Sequence, residues 1–147
     1  MILSAPEIIR RLEKGCNQGK LVISPYNSEC QQPASYDLRA AADMNIPKGT
    51  CTLVPTLEWV ELPVDLAGTL ICRSSFGRLG ILLGAGYIDP GFRGQLTLCL
   101  TNMGSDTPLI RKNDRLVQMI LHEVREGNQC YSGRYQDSKG AVEAKRT

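Results

Sequence analysis

Short apolar runs broken by turn residues make up most of the chain between positions 21 and 124. Runs of this length with partial alternation of apolar and polar residues are typical of β-strands. The predicted strands are Leu21–Ile23, Ser35–Ala41, Thr50–Pro55, Glu58–Glu61, Ala67–Arg73, Gln95–Leu100 and Arg115–Val124. Many short strands at this spacing predict an all-β fold, either a barrel or a jelly roll.

The N-terminal segment Met1–Gly15 has a helical rather than a β pattern. Ser4 is a candidate N-cap, Pro6 lies in the first turn, and an apolar stripe starts at Ile8 and continues through Ile9 and Leu12. These features predict one short helix before the β-region.

The apolar pattern stops at Gly127, and the remaining residues 127–147 are polar, contain Gly and Ser, and end in basic residues. A segment of this composition is expected to be mobile on its own. We therefore expect one domain over residues 1–147, with an N-terminal extension at 1–24 and a flexible C-terminal tail at 127–147.

The stretch Gly80–Asn102 has the most distinctive pattern in the chain. An apolar run is followed by Gly84-Ala85-Gly86, then by Asp89, a second turn at Pro90-Gly91 and an alternating strand. This order predicts a hairpin whose glycines let a ligand or another backbone approach closely. An ordinary hairpin in which Asp89 caps the turn is the alternative.

The composition is that of a soluble globular protein, with 42% hydrophobic residues over 147 positions and a net charge of +2. The charge is too small to indicate a nucleic-acid surface. No apolar segment reaches membrane-spanning length and no signal-peptide pattern is visible, so we expect a cytoplasmic protein with no membrane partner.

The six cysteines and the single histidine, His122, do not form a zinc-binding pattern. In a reducing cytosol these cysteines are expected to be small, mostly buried apolar residues, although the sequence leaves a disulfide open.

Four other stretches place polar groups at predicted strand ends. Asp37 lies inside the run PASYDLR and could pair with Arg39, and Gln118 lies among apolar neighbours in NDRLVQMI. The run RSSFGR offers two hydroxyl groups and two guanidinium groups as an anion cradle, although a capped helix start explains it equally well. The fourth stretch is the basic tail. None of these stretches is specific when it is taken alone.

Taken in order, the series PASYDL, RSSFGRLG, GAGYIDPGFRGQLTL, NDRLVQMI and the Gly/Ser tail resembles the trimeric dUTPases, of the superfamily that they share with dCTP deaminases. The resemblance spans about Gln32–Val142. The start MILS and the ending RYQDSKGAV are more similar to the deaminase branch.

Position 99 separates the two branches. In the deaminases the strand after the Asp turn carries a glutamate there, which moves protons while water attacks the cytosine ring, and here the residue is Cys99. Cysteine is a poor substitute for a carboxyl general acid/base. The resemblance therefore implies dUTP hydrolysis to dUMP and pyrophosphate, which would limit uracil incorporation into DNA and supply dUMP for dTMP synthesis. The alternatives are a dCTP deaminase or bifunctional enzyme, a dUTPase-fold signalling protein, and a β-domain with coincidental motifs.

The resemblance also implies roles for individual residues. Asp89 would activate the attacking water, the backbone of Gly84, Ala85, Gly86, Tyr87 and Ile88 would read the uracil edge, and Phe92 would lie against the deoxyribose. Asp37 would act on a Mg²⁺ cofactor through water, or on Arg73. The residues expected to hold phosphate oxygens or to close over the nucleotide are Arg73, Ser74, Ser75, Arg78, Gln118, Arg134, Tyr135, Ser138 and Lys139.

The fold that the resemblance implies is a dUTPase-like jelly roll, or distorted β-barrel, assembled as a homotrimer with shared active sites. Each site would take its Asp89 motif from one subunit, the other motifs from a neighbour and the tail from the third. Closed rings with cyclic symmetry can share sites in this way. No nucleic-acid partner is expected.

Overall fold

The computed structural model describes residues 1–14 and 19–146. Within them the chain forms two antiparallel sheets, a small two-stranded ribbon and two short helices, which confirms the predicted all-β fold. The helices are α1 (Ala5–Glu13) and α2 (Ser74–Gly77), and the strands are β1 (Val22–Ser24), β2 (Gln31–Gln32), β3 (Ser35–Arg39), β4 (Met44–Asn45), β5 (Cys51–Glu61), β6 (Leu66–Cys72), β7 (Ile81–Gly84), β8 (Tyr87–Ile88), β9 (Arg93–Asn102), β10 (Leu109–Ile110) and β11 (Arg115–Glu123).

The first sheet has the strand order β1-β5-β9-β7 and the second the order β2-β3-β11-β6-β8, while β4 and β10 form the ribbon. The long pair β5–β9 alternates buried and half-buried residues, as expected of strands with one face toward the core. The two clusters of buried side chains are centred on Tyr36 with Leu66, and on Ile46 with Leu98. The N-terminal helix packs on the first cluster through Ile8.

The predicted pairing of the apolar run before Gly84 with the strand Gln95–Leu100 is confirmed, because β7 and β9 are antiparallel neighbours. The connection between these two strands is not a simple turn. β7 pairs with β9 in the first sheet, and β8 pairs with β6 in the second. Ile81 is buried in one core cluster and Ile88 in the other. The segment between β7 and β9 therefore crosses to the second sheet at β8 and returns, so that β7 and β8 each cover the edge of a different sheet.

Two predicted strands, Thr50–Pro55 and Glu58–Glu61, form the single strand β5 with an irregular register between Pro55 and Trp59. The Thr56 hydroxyl holds this irregularity, because it donates to the Glu58 carbonyl at 2.9 Å and accepts from the Leu96 N–H at 2.9 Å. A side-chain hydroxyl here replaces ladder hydrogen bonds that the extra residues displace.

The predicted N-terminal helix forms, but its details differ from the sequence pattern. Ser4 occupies the N-cap position without a side-chain hydrogen bond, and Ile9 is exposed at 38%. Arg11 is buried instead, with only 4% of its surface accessible. The predicted end at Gly15 lies outside the described residues.

The cysteines are less buried than predicted. Cys30 is buried, whereas Cys51 and Cys130 are exposed and Cys72 and Cys99 are half-buried. These five are free thiols, and Cys16 lies outside the described residues. Within the described chain, no helix combines the length and the apolar character that a membrane crossing requires.

Candidate active site

Residues 84–88 carry the chain from β7 to β8, beginning at the surface and ending at the buried Ile88. Gly84 and Ala85 are exposed, and both Ala85 (φ 62°) and Gly86 (φ 148°) have positive φ. A Cβ atom at Gly86 would lie 3.0 Å from the Leu70 carbonyl oxygen, which accounts for the glycine. The Gly86 carbonyl accepts from the Leu70 N–H at 2.6 Å, so the part of this connection that a flat ligand edge can approach lies at the exposed residues Gly84 and Ala85.

The turn after β8 holds Asp89 at the surface and Phe92 in the core. Leu62 fixes this turn from both sides, since it accepts from the Gly91 N–H at 3.0 Å and donates to the Phe92 carbonyl at 2.9 Å. Phe92 is 7% exposed, and its ring meets the Tyr131 ring edge-on at a centroid distance of 5.7 Å. Asp89 is therefore an exposed carboxylate on a firmly held turn.

A cavity of about 420 Å³ lies between this turn, strand β9 and the C-terminal tail. Its volume is in the range of small-molecule sites. Among residues 1–14 and 19–146, Asp89 is the only carboxylate that lines it; the lining residues are Leu53, Ala85, Tyr87, Ile88, Asp89, Phe92, Gln95, Leu96, Thr97, Cys99, Tyr131, Tyr135, Ser138, Val142 and Ala144. The cavity thus combines largely apolar walls with one acidic group.

The Cys99 thiol faces this cavity from β9. Its pKa is raised above the ordinary value, chiefly by burial and also by the nearby Cys51. The thiol is therefore neutral near pH 7, and neither a carboxylate nor a thiolate stands at position 99.

The C-terminal tail packs on the same chain's β9 and does not extend away from it. Ser138 forms a parallel bridge with Gly94, and its carbonyl accepts from the Gln95 N–H at 2.9 Å. The Gln95 side chain accepts from the Gly140 N–H at 2.7 Å, and Thr97 Oγ1 accepts from the Val142 N–H at 2.9 Å. The trimer resemblance assigns the tail to a third subunit, whereas the chain makes these contacts with itself.

This arrangement places only some of the tail residues that were expected to close over a nucleotide at the cavity. Tyr135 and Ser138 line the cavity. Arg134 is exposed and donates to the Lys145 carbonyl at 2.7 Å, and Lys139 is exposed outside the lining. The cavity is thus closed by an aromatic ring and a hydroxyl, with the two cations at the surface.

A second group of predicted site residues gathers on the other sheet around Asp37. This carboxylate is 1% exposed, and Arg73 Nε lies 3.2 Å and Arg115 Nη1 3.7 Å from its Oδ2 atom. Neither oxygen makes a hydrogen bond, and burial raises the pKa of Asp37 despite the two arginines. Gln118 pairs with Asp37 across β3 and β11.

The alternative in which Asp37 pairs with Arg39 does not occur, because Arg39 pairs with Glu58 at 2.7 Å. The run RSSFGR is a helix start, with Arg73 at the N-cap of α2. Ser74, Ser75 and Arg78 are exposed along it. These hydroxyl and guanidinium groups together form a polar, positively charged surface beside Asp37, which we name the Asp37 cluster (Asp37, Arg73, Ser74, Ser75, Arg78, Arg115 and Gln118).

The Asp37 cluster and the cavity are separate within one chain, since no member of the cluster lines the cavity. The structure thus places residues predicted to contact the base or the sugar around the cavity, and the predicted phosphate-binding residues outside the tail in the Asp37 cluster. Arg134 and Lys139 of the tail belong to neither set.

A sequence profile of the family described as dCTP deaminase-like matches residues 40–124, more than half of the chain. The chain belongs to the dCTP deaminase-like family. The dCTP deaminase of Thermococcus kodakarensis is 33% identical over 143 residues, covering 86% of this chain and 92% of that protein. The "dCTP deaminase, dUMP-forming" of Aquifex aeolicus is 32% identical over 172 residues, covering 97% and 93%.

Solved structures place this dCTP deaminase-like chain in the fold shared by dUTPases and dCTP deaminases. The native dUTPase of EIAV matches with a TM-score of 0.63 at 21% identity, covering 79% of this chain and 98% of that one. The 2'-deoxycytidine 5'-triphosphate deaminase of Agrobacterium tumefaciens matches with a TM-score of 0.67 at 22% identity, covering 82% and 47%. The jelly-roll expectation is confirmed at the level of the fold.

Sequence reasoning missed several residues of this candidate site. Gln95 and Thr97 alternate with Cys99 along β9, so the period of two that predicted the strand also places all three on one face. Arg115 stands in the quoted motif NDRLVQMI without a role, yet its guanidinium faces Asp37. Tyr131 is a polar-tail residue whose contact with Phe92 has no sequence signal.

The expected Mg²⁺ has no dedicated ligand set among residues 1–14 and 19–146, where no group of three His, Cys, Asp or Glu side chains is placed to hold a metal. The two buried Asp37 oxygens without hydrogen bonds fit an indirect contact with a hydrated cation. The adjacent arginines fit direct coordination poorly, because they repel a cation.

Proposed function

We propose that this protein is a nucleotide-metabolising enzyme that hydrolyses dUTP to dUMP and pyrophosphate. The observation that carries the proposal is the cavity in which Asp89 is the only lining carboxylate of the described residues and a neutral thiol occupies position 99. Hydrolysis at the α-phosphate requires one positioned general base, and a single carboxylate can supply it. Deamination requires in addition an acid/base group beside the pyrimidine ring.

In the proposed reaction, Asp89 orients a water molecule and takes its proton as the water attacks the α-phosphorus. The backbone at residues 84–88 pairs with the uracil edge, and Phe92 and Leu53 supply apolar walls. Phe92 leaves no hydrogen-bonding partner for a 2'-OH group, which favours a deoxyribose. Tyr87 is 60% exposed, with its ring 6.0 Å from that of His122, so its backbone rather than its ring is proposed to meet the base.

The Asp37 cluster is proposed to bind the triphosphate, with Arg73, Arg78 and the two serines donating to phosphate oxygens. Mg²⁺ carried by the triphosphate would neutralise charge that develops on the phosphates, and Asp37 would contact it only through water. Because the cluster and the cavity are separate in one chain, we propose that a neighbouring copy brings its cluster to this cavity in a homotrimer.

Deamination of dCTP, alone or coupled to hydrolysis, is the second candidate. The names of the similar proteins favour it over hydrolysis, since the relatives in Thermococcus and Aquifex are named dCTP deaminases and one is dUMP-forming. In this candidate Asp89, which is the only lining carboxylate in the part of the chain that the structure describes, would have to move the protons itself. The two candidates therefore differ in one measurable product, ammonia.

A product assay on the purified protein separates the candidates. The protein is incubated with Mg²⁺ and, separately, with dUTP, dCTP, dTTP and UTP, while pyrophosphate and ammonia are measured. Pyrophosphate from dUTP alone supports the first candidate. Ammonia from dCTP overturns it in favour of deamination, and both products indicate a bifunctional enzyme. Binding of dUTP without either product indicates a nucleotide-responsive binding protein.

The role of Asp89 is tested in the same assay with Asp89→Asn, with Asp106→Asn as the matched control. Asp106 is an exposed carboxylate in the loop after β9 and does not line the cavity. Loss of a positioned general base lowers rates by about 10²–10⁴-fold, and we expect this loss for Asp89→Asn only. Equal activity of the two variants would remove Asp89 from the mechanism.

A further inference from the structure

The N-terminal helix α1 carries an ion pair that has no part in the proposed chemistry. Arg11 is 4% exposed, and its Nη2 atom lies 2.6 Å from Asp65 Oδ1. Its Nε atom is also buried and makes no hydrogen bond. Burying a guanidinium group costs free energy because the group loses its hydration. The stability of a fold that buries one therefore depends strongly on the partner that compensates the charge.

Asp65 lies in the short connection between β5 and β6, and this connection supports the Asp89 turn. Three residues before Asp65, Leu62 exchanges backbone hydrogen bonds with Gly91 and Phe92 at 3.0 and 2.9 Å. Phe92 in turn donates its N–H to the Asp89 carbonyl at 3.2 Å. Position 62 therefore determines where the backbone of the Asp89 turn lies.

The same connection also fixes the start of the tail. The Asp65 carbonyl accepts from the Val124 N–H at 2.8 Å, at the point where β11 ends. The Gly127 position is so close to the Val64 carbonyl that an added Cβ would lie 2.3 Å from it. Val64 and Asp89 line one side of a second cavity of about 380 Å³, with the segment 124–131 on the other.

We propose that Arg11 is a positioning residue for Asp89, acting through Asp65 and the segment 62–66. The pair anchors this segment to α1, and the segment holds both the Asp89 turn and the origin of the tail in place. The N-terminal extension thereby sets the geometry of a catalytic turn that it does not touch. This inference rests on the role proposed for Asp89.

The test compares Arg11→Met with two variants of the same helix. Arg10→Met removes an exposed pair with Glu7, and Ile8→Ala removes a fully buried side chain without changing a charge. Amide hydrogen exchange of residues 86–93 is measured by mass spectrometry, together with Tm and with kcat and KM for pyrophosphate release from dUTP. Arg11→Lys, which keeps the charge, serves as the rescue variant and as the substitute where Arg11→Met does not fold.

We expect Arg11→Met to speed exchange at residues 86–93 more than Ile8→Ala does. We also expect it to lower kcat by about 10–100-fold with little change in KM, because a small misplacement of a catalytic group affects the chemical step. Arg11→Lys should recover part of kcat. The proposal is overturned if Arg11→Met, at a loss of Tm equal to that of Ile8→Ala, changes neither the exchange at residues 86–93 nor kcat more than Ile8→Ala does.

Hydrogen exchange does not depend on the reaction. If the unmodified protein releases no pyrophosphate, the proposed hydrolysis fails, while exchange at residues 86–93 still decides whether Arg11 positions the turn.

Discussion

Cys99 lies directly opposite Gly84 in the antiparallel pair of β9 and β7. A Cβ atom at Gly84 would be 3.8 Å from that of Cys99, so the neighbouring position offers no side chain that could hydrogen-bond to the thiol. The residue at position 99 thus projects beside the backbone that we propose reads the base. Its chemistry decides which pyrimidine reaction the cavity can support.

We expect Cys99→Glu to introduce ammonia release from dCTP. Burial at this position raises the pKa of an acidic group, which would poise a glutamate for proton transfer near neutral pH. The measurement is ammonia from dCTP, with Cys99→Gln as the control of equal size without an acid. Ammonia release by the unmodified protein would show that Cys99 does not prevent deamination.

Thr97→Val should loosen the tail. It removes the acceptor of the Val142 N–H, and a single hydrogen bond contributes about 1 kcal/mol, or roughly a fivefold change in the closed population. We expect faster amide exchange at residues 138–142 in the absence of nucleotide and a higher KM for dUTP. Thr101→Val, on the same strand and face, is the control. If the amides of residues 138–142 exchange without protection in the unmodified protein, the tail is not closed in the absence of a ligand and the prediction fails.

Asp37→Asn should stabilise the fold at pH 7 while it impairs activity. Burial raises the pKa of the folded Asp37 carboxyl above its ordinary value of 3.8, with Arg73 and Arg115 opposing the shift. Because the pKa is raised on folding, the contribution of Asp37 to the free energy of unfolding is complete at a pH below the ordinary pKa. This contribution is lost as the pH rises through the pKa of the folded protein.

An unsatisfied buried polar group costs about 1–3 kcal/mol, and this is the gain that we expect for Asp37→Asn at pH 7. The gain should disappear as the pH falls below the ordinary value. Urea unfolding at pH 7 and under acidic conditions checks the prediction. A less stable variant at pH 7 would mean that the arginine pairs outweigh the burial.

Arg39→Met should strongly destabilise the protein. Glu58 is fully buried, and its carboxylate accepts hydrogen bonds from the Arg39 backbone N–H at 2.9 Å and from Arg39 Nε at 2.7 Å. Removing one partner of such a pair costs about 3–5 kcal/mol. Arg10→Met, which breaks an exposed pair, should cost less than about 1 kcal/mol.

Burial raises the pKa of Glu58, while hydrogen bonds from Arg39 oppose the shift. The loss in Arg39→Met should therefore shrink as the pH falls and Glu58 becomes protonated. A loss that is independent of pH would indicate a packing defect.

The sequence predicted strand positions well where an apolar run covers one sheet, as in β9 and β11. It did not predict the path of the chain between paired strands. β7 and β9 pair as predicted, but β8 in the connection between them pairs with β6 in the second sheet. Pairing partners of this kind depend on the whole sheet order, which no local pattern contains.

Charged residues were predicted less well than apolar ones. Arg11 lies one turn after Ile8 on the buried face of α1, where Asp65, 54 positions away in the sequence, is close to it in the fold. Arg39 likewise finds Glu58 rather than its sequence neighbour Asp37. The site motifs could be read because their residues are local, whereas ion pairs join residues whose proximity only the fold creates.

The bridge between Ser138 and Gly94 also bears on solubility. At Gln95 the tail covers an edge of β9 beyond the last residue that β7 pairs with. A chain that lost these tail residues would present unpaired backbone groups on a long apolar strand, and such edges recruit strands from other molecules. Proteolytic loss of the tail should therefore make this protein prone to aggregation through this strand edge. The tail thus also protects the protein against aggregation.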